Sequence, residues 1–179
     1  MGILVAACIK YDDWLKDFST WSIYLGLAMT VPWANRLRPT SKTDLVTQVQ
    51  YTAINKSSAI TELDIYAHGA DTNVDFNADS IADILPKDDA QPLTPLAGVM
   101  DTDGYIVFNV CQLGKATGIL AAVAQFTGVP VYANTGDFNS MLAIPNGMWI
   151  MTSPDGTFTQ GTAPPAFPDP AGSTYLMSP

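Results

Sequence analysis

Between Ser41 and Ala133 the chain alternates segments of two hydrophobic periods, and this alternation narrows the possible folds more than any other feature. Leu45, Val46, Val49 and Ala53 lie on one helical face, behind Ser41 as an N-cap with Asp44 three residues on. Leu63 to Ala67 reads as a strand. Asp79 to Leu85 reads as a short helix stopped by Pro86. Tyr105 to Val110 is continuously apolar, as in a strand covered on both faces. Ile119, Leu120, Val123 and Phe126 form a helical stripe closed by Gly128, and Val129 to Ala133 is a further strand. Helix and strand in strict turn specify an α/β fold, a mostly parallel sheet with helices on its faces. The short apolar run Ile3 to Ile9 joins that sheet as a buried strand.

Outside this region the signals differ. Asp12 to Met29 is expected to be helical, with acid at its start and Trp14, Phe18, Trp21 and Leu25 as a stripe facing the core. "PKDDAQPLTP" reads as a loop and "DTDG" as a turn. "PNGMWIMTSPDGTF" carries Asn-Gly and Pro-Asp-Gly turns, so a C-terminal antiparallel β-hairpin is expected. We expect one domain over residues 1–158 and an extended or disordered Pro-rich tail over 159–179.

Composition excludes several functions. The 179 residues carry a formal net charge of −9, with a pI near 4.1. Such a surface repels phosphate, so neither nucleic acid nor an anionic membrane is an expected partner, while basic substrates are favoured by steering. No apolar run reaches the ~18 residues of a membrane span. Val5-Ala6-Ala7-Cys8 resembles a lipoprotein cleavage box, but no basic segment and no apolar segment of sufficient length precede it. Cys8 is therefore assigned to the first buried strand, and the protein to the cytoplasm or to export by a signal-independent route. Two cysteines and one histidine are too few for a disulfide framework or a structural zinc site. Asp71, Asn73, Asp75, Asn77 and Asp79 alternate as in a calcium loop, but Phe76 and Ala82 stand where an EF-hand needs Gly and Glu. A polar loop with Asx turns is expected there instead, with no metal. No nucleophile elbow, phosphate loop or dinucleotide fingerprint follows any strand.

The chemistry concentrates at two strand ends. The only histidine, His68, closes the apolar run in "ELDIYAHGADTN", and Cys111 closes "GYIVFNVCQLG". Parallel strands bring their carboxyl ends to one edge, where ligands of α/β sheets bind. If the two strands are neighbours, imidazole and thiol approach each other. A helix starting near Gly114 to Thr117 would stabilise a thiolate at Cys111, and His68 would relay a proton to a leaving group. Gly69 lets the backbone pass close to a substrate, and its N–H with that of Cys111 would face an oxyanion.

The blocks "LDIYAHG" and "YIVFNVC" resemble those of caspase-like cysteine peptidases, the clan of legumains, gingipains, clostripain and separases, in which one apolar strand ends in His-Gly and another in the nucleophilic Cys. The stretch "CQLGKATGILAAVAQFTGVPVYANTGD" is similar to small bacterial His-Gly and Cys domains of unknown function in large surface proteins. The resemblance runs from Ile60 to Asp137. It implies a three-layer sandwich and a cysteine peptidase that needs no cofactor and forms an acyl-enzyme on a peptide or protein substrate. In that reading Cys111 is the nucleophile and His68 the general acid/base. The N–H groups of Gly69 and Cys111 make the oxyanion hole. Asn109 lines the pocket for the residue before the scissile bond, where several relatives carry an acid or glutamine. Gln112-Leu113 stands where caspases have Arg-Gly, so caspase-type aspartate specificity is not implied. Two alternatives stay open: a non-catalytic binding or structural module on the same sheet, and a bacterial effector with other thiol chemistry such as deamidation.

Overall fold

The N-terminal apolar run forms β1 (Ile3–Cys8), buried from Leu4 onward. The computed structural model describes residues 2–139 and 144–165. After β1 come α1 (Trp14–Thr30), β2 (Asn35–Leu37), α2 (Lys42–Lys56) and β3 (Ile60–Tyr66). Three short strands follow, β4 (His68–Ala70), β5 (Asn73–Asp75) and β6 (Ser80–Ala82), then α3 (Pro86–Ala90) and a 3-10 segment over Gln91–Gly98. β7 (Met100–Asn109), a 3-10 turn at Leu113–Lys115, α4 (Thr117–Thr127) and β8 (Val131–Asn134) complete the alternating region. β9 (Phe138–Asn139) and β10 (Ile144–Pro145) pair with each other, and β11 (Trp149–Thr152) and β12 (Phe158–Gln160) close the described chain.

The main sheet has the order β12-β11-β8-β7-β3-β1-β2. Five neighbouring strands, β8, β7, β3, β1 and β2, are parallel, and β11 and β12 are antiparallel. The α/β class and the C-terminal hairpin are therefore as the sequence predicts, with Gly156 at φ 85° in the hairpin turn. Local chemistry explains the helix limits. The Ser41 hydroxyl accepts from the N–H of Asp44, and Gly128 at φ 73° ends α4.

Helices cover both faces. On one, α2, α4 and the 3-10 segment bury Leu45, Val49, Leu93, Leu120 and Val123 against Leu63, Ile65, Ile106 and Phe108. On the other, α1 packs Ile23 and Leu27 against Leu4, Ala6, Cys8 and Tyr66. Among the described residues no helix is long and apolar enough to cross a membrane.

Five expectations are corrected. Trp14, Phe18, Trp21 and Leu25 do not face the core: they are 71%, 59%, 46% and 39% exposed, and α1 turns Thr20, Ile23 and Leu27 inward. Both stripes are apolar, so period alone does not choose between them. Residues 79–85 are not helical, because Ser80–Ala82 pairs with β5. Pro86 starts α3 rather than stopping a helix, since a proline at the first helical position loses no intrahelical bond. The expected loop over residues 86–95 is α3 and the 3-10 segment. The "DTDG" turn is a bulge within β7: the register with β3 jumps from Ile60↔Met100 to Glu62↔Tyr105. The Pro-rich segment from residue 159 enters β12 at its start, and residues 166–179 lie outside those described.

Phe108 is fully buried at the centre of the larger core cluster. Phe108→Ala is expected to cost about 3–5 kcal/mol, read as a lower urea midpoint at unchanged slope.

Candidate active site

β3 and β7 are adjacent and parallel, with Tyr66 opposite Asn109. His68 lies two residues beyond Tyr66 and Cys111 two beyond Asn109. The two side chains thus leave neighbouring strands at the same edge. Strand alternation gives them the same face as well, because Val110 packs into the core on the α2 and α4 side. That shared face is the one α1 covers.

α1 holds the imidazole. His68 Nε2 lies 3.1 Å from the Lys16 carbonyl oxygen and 2.9 Å from Ser19 Oγ. A carbonyl only accepts, so Nε2 carries the proton, and the basic nitrogen of the neutral ring is Nδ1. The Ser19 hydroxyl donates to the same carbonyl at 2.9 Å, which completes a small network around one edge of the ring. Tyr11 packs edge-on against the imidazole, with centroids 5.1 Å apart. Its hydroxyl accepts from His68 N–H at 2.7 Å and donates to the Asp75 carbonyl at 2.6 Å. The Tyr11 hydroxyl is therefore spliced into the β4–β5 ladder where His68 pairs with Asp75. Burial pushes the Tyr11 phenol well above its ordinary range, so it stays a protonated donor. Lys16 Nζ to Asp75 at 2.8 Å and an Arg38–Asp17 pair tie the start of α1 to its surroundings.

The Cys111 side is held against β8. Gln112 adopts φ 57°, its N–H donates to the Gly136 carbonyl at 2.8 Å, and its Nε2 donates to Asp137 at 2.9 Å. A Cβ on Gly114 would meet the backbone of Asn134 and Thr135 at 2.7–2.9 Å, so only glycine allows this approach. These contacts produce the 3-10 turn at Leu113–Lys115, and α4 begins only at Thr117. The helix after Cys111 thus starts at Thr117, inside the expected span of Gly114 to Thr117. Cys111 is partly exposed, whereas Cys8 is fully buried and burial raises its thiol to about 12.

Gly69 has a steric reason of its own. A Cβ there would lie 2.4 Å from the Asn73 carbonyl oxygen and 2.6 Å from Val110 Cγ1. Its partner in the ladder is Val74, one step from the His68–Asp75 pair that Tyr11 bridges. Bonded and non-bonded pairs alternate in an antiparallel ladder, so Gly69–Val74 is the non-bonded kind and the Gly69 N–H turns away from β5. Asn109 is 3% exposed, and neither its Oδ1 nor its Nδ2 has a hydrogen-bond partner among the described residues. The alternating acids between Asp71 and Asp79 do not converge. Asp75 binds Lys16 and the Asn77 N–H, and Asp79 accepts from Lys42 N–H. No group of three metal-ligating side chains occurs among the described residues.

Sequence reading missed a second polar group. Glu62 and Asp64, at i and i+2 of β3, are 3% and 1% exposed on the Tyr66 face. Tyr105 donates to Glu62 Oε2 at 2.7 Å. Burial raises both carboxyls, Glu62 to about 7 and Asp64 well above its usual range, the latter helped by the charge of Glu62 beside it. The alternation of Glu and Asp inside "TELDIY" carried this signal. Ser19 and Tyr11 left no comparable mark, because their contacts with His68 span 49 and 57 residues.

Comparison with protein-family models, with curated proteins and with solved structures finds no match to this chain.

Two outcomes follow. Glu62 holds its proton more tightly when folded, so its contribution is present below the unfolded value of 4.5 and is lost as pH rises through about 7. Chemical denaturation from pH 5 to 8 is expected to show stability falling by on the order of 2–3 kcal/mol, and Glu62→Gln to flatten that fall. Gly69→Ala is expected to lower stability by about 1–3 kcal/mol through overpacking against Val110 and Asn73, read from denaturant midpoints.

Proposed function

We propose that the protein is a cysteine-dependent hydrolase acting on peptide bonds, with Cys111 as nucleophile and His68 as general acid/base. The carrying observation is that these residues end adjacent parallel strands in register, with the imidazole anchored through Nε2. Cys111 Sγ passes its proton to His68 Nδ1 and attacks the substrate carbonyl carbon, and the carbonyl oxygen takes the negative charge. The N–H of Gly69, free of the β5 ladder, and that of Cys111 are the donors assigned to that oxyanion. Collapse breaks the C–N bond as His68 Nδ1 gives its proton to the leaving amine. A water then attacks the thioester, returns a proton to Nδ1 and releases the acid and the Cys111 thiolate. The amide of Asn109, without a partner among the described residues and two residues before Cys111, supports its assignment to the pocket for the residue before the scissile bond. The acidic surface supports basic substrates through steering. Tyr11 and Ser19 are positioning residues in this reading.

A binding module is the second reading, favoured by the exposed apolar stripe of α1. Thiol chemistry separates the two. With iodoacetamide and mass mapping, Cys111 is expected to label and Cys8 to stay protected in the folded protein. His68→Ala is expected to lower the Cys111 rate near neutral pH. Peptide-library turnover should disappear in Cys111→Ala, fall by about 10²–10⁴ in His68→Ala, and fall by roughly 2–10-fold in Ser19→Ala with little change in KM. Labelling of Cys111 that ignores His68 would sink the catalytic reading. Release of ammonia without chain cleavage would make the enzyme a deamidase instead.

A further inference from the structure

The exposed stripe of α1 is ordered like a helix-pairing seam. Trp14, Phe18, Trp21 and Leu25 are spaced by four, three and four residues, the 3.5-residue repeat of a coiled-coil contact. The opposite side of α1, through Ile23 and Leu27, already packs on the sheet, so the seam has no partner within the described residues. Leu15, 65% exposed, widens it. At ~150–250 Å² per aromatic side chain the exposed apolar surface amounts to roughly 500 Å², in the upper part of the range for the largest patch on a monomer, which is often functional.

From this we propose that the protein self-associates through α1, the helix of one copy lying antiparallel along the α1 helix of a second copy across a two-fold axis. Local charge along the seam is compatible with a copy of itself. The residues flanking the seam are Leu15 and Ser22 on one side and Asp17 and Tyr24 on the other, and Asp17 is paired with Arg38 of its own chain. No unpaired like charges therefore meet along the seam. Asp12 and Asp13 at its start and the net charge of −9 work against an anionic membrane surface. The antiparallel arrangement sets the N-terminal end of each helix dipole beside the C-terminal end of the other. It also seats each Trp14 opposite Leu25 rather than opposite the other Trp14. Two such faces bury about 1,000 Å² in all before any polar rim is counted, the lower bound of a specific interface.

The test is sedimentation velocity over a concentration series, with tryptophan emission recorded in parallel. The wild-type chain is expected to pass from monomer to dimer, with emission moving to shorter wavelength as Trp14 and Trp21 are covered. Phe18→Lys and Phe18→Glu, at a residue 59% exposed and outside the core, should each weaken the dimer by at least ~30-fold. Mixing these two variants should restore dimers containing one of each, which only a self-interface can do. A wild-type chain that stays monomeric to several hundred micromolar overturns the proposal. So does a dimer indifferent to both substitutions, a mixture that stays monomeric, or a monomer whose tryptophans shift only on phosphatidylcholine or phosphatidylserine vesicles.

Discussion

The parallel pairing of β3 with β7 is the constraint on which the rest of the arrangement depends. It sets Tyr66 beside Asn109 and so delivers His68 and Cys111 to one edge of the sheet on one face. A slip of one residue would send one of the two to the opposite face, because side chains alternate along a strand. The register is secured from below by packing. Leu63, Ile65, Ile106 and Phe108 fill the core beneath α2 and α4, and a slip of β3 by one residue would put Glu62 and Asp64 into that core in place of Leu63 and Ile65. The bulge over residues 101–104 takes up the mismatch at the amino ends, far from the chemistry.

The layer above the site depends on α1. Its inward stripe docks it on β1, and its first turns supply the Lys16 carbonyl and Ser19 hydroxyl that orient the imidazole. Tyr11 joins the same region to the β4–β5 ladder through one hydroxyl that both accepts and donates. Cys111 is positioned from the other flank, by Gln112 and Gly114 against the end of β8. The two halves of the site are thus held by different elements, and the β3–β7 pair is what they share.

Much of this was legible in the chain because the signals are local. The Ser41 cap, the Gly128 stop, the continuous apolar run of β7 and the turn at Gly156 each follow from short-range chemistry. The positions of His68 and Cys111 at strand ends were legible for the same reason. The failures are tertiary. Two apolar stripes on α1 compete for the core, and only the packing of Ile23 and Leu27 on β1 decides between them. Ser80–Ala82 becomes a strand because β5 is there to pair with it. The clamp on His68 uses a backbone carbonyl, which carries no residue identity to read. The buried Glu62 and Asp64 were visible as an alternation, yet the surrounding Leu63, Ile65 and Tyr66 made the segment read as simply apolar.

The central claim is that the thiol of Cys111 works with the imidazole of His68 to form an acyl-enzyme. The most direct measurement is intact-mass spectrometry of the protein exposed to a mixed set of peptidyl thioesters and activated peptide esters, with the modified residue mapped by fragmentation. The account predicts a transient acyl adduct on Cys111, absent in Cys111→Ala. In His68→Ala it should form slowly, because the imidazole no longer helps to generate the thiolate. An adduct that forms equally without His68, or none on Cys111 with any acyl donor, would contradict it.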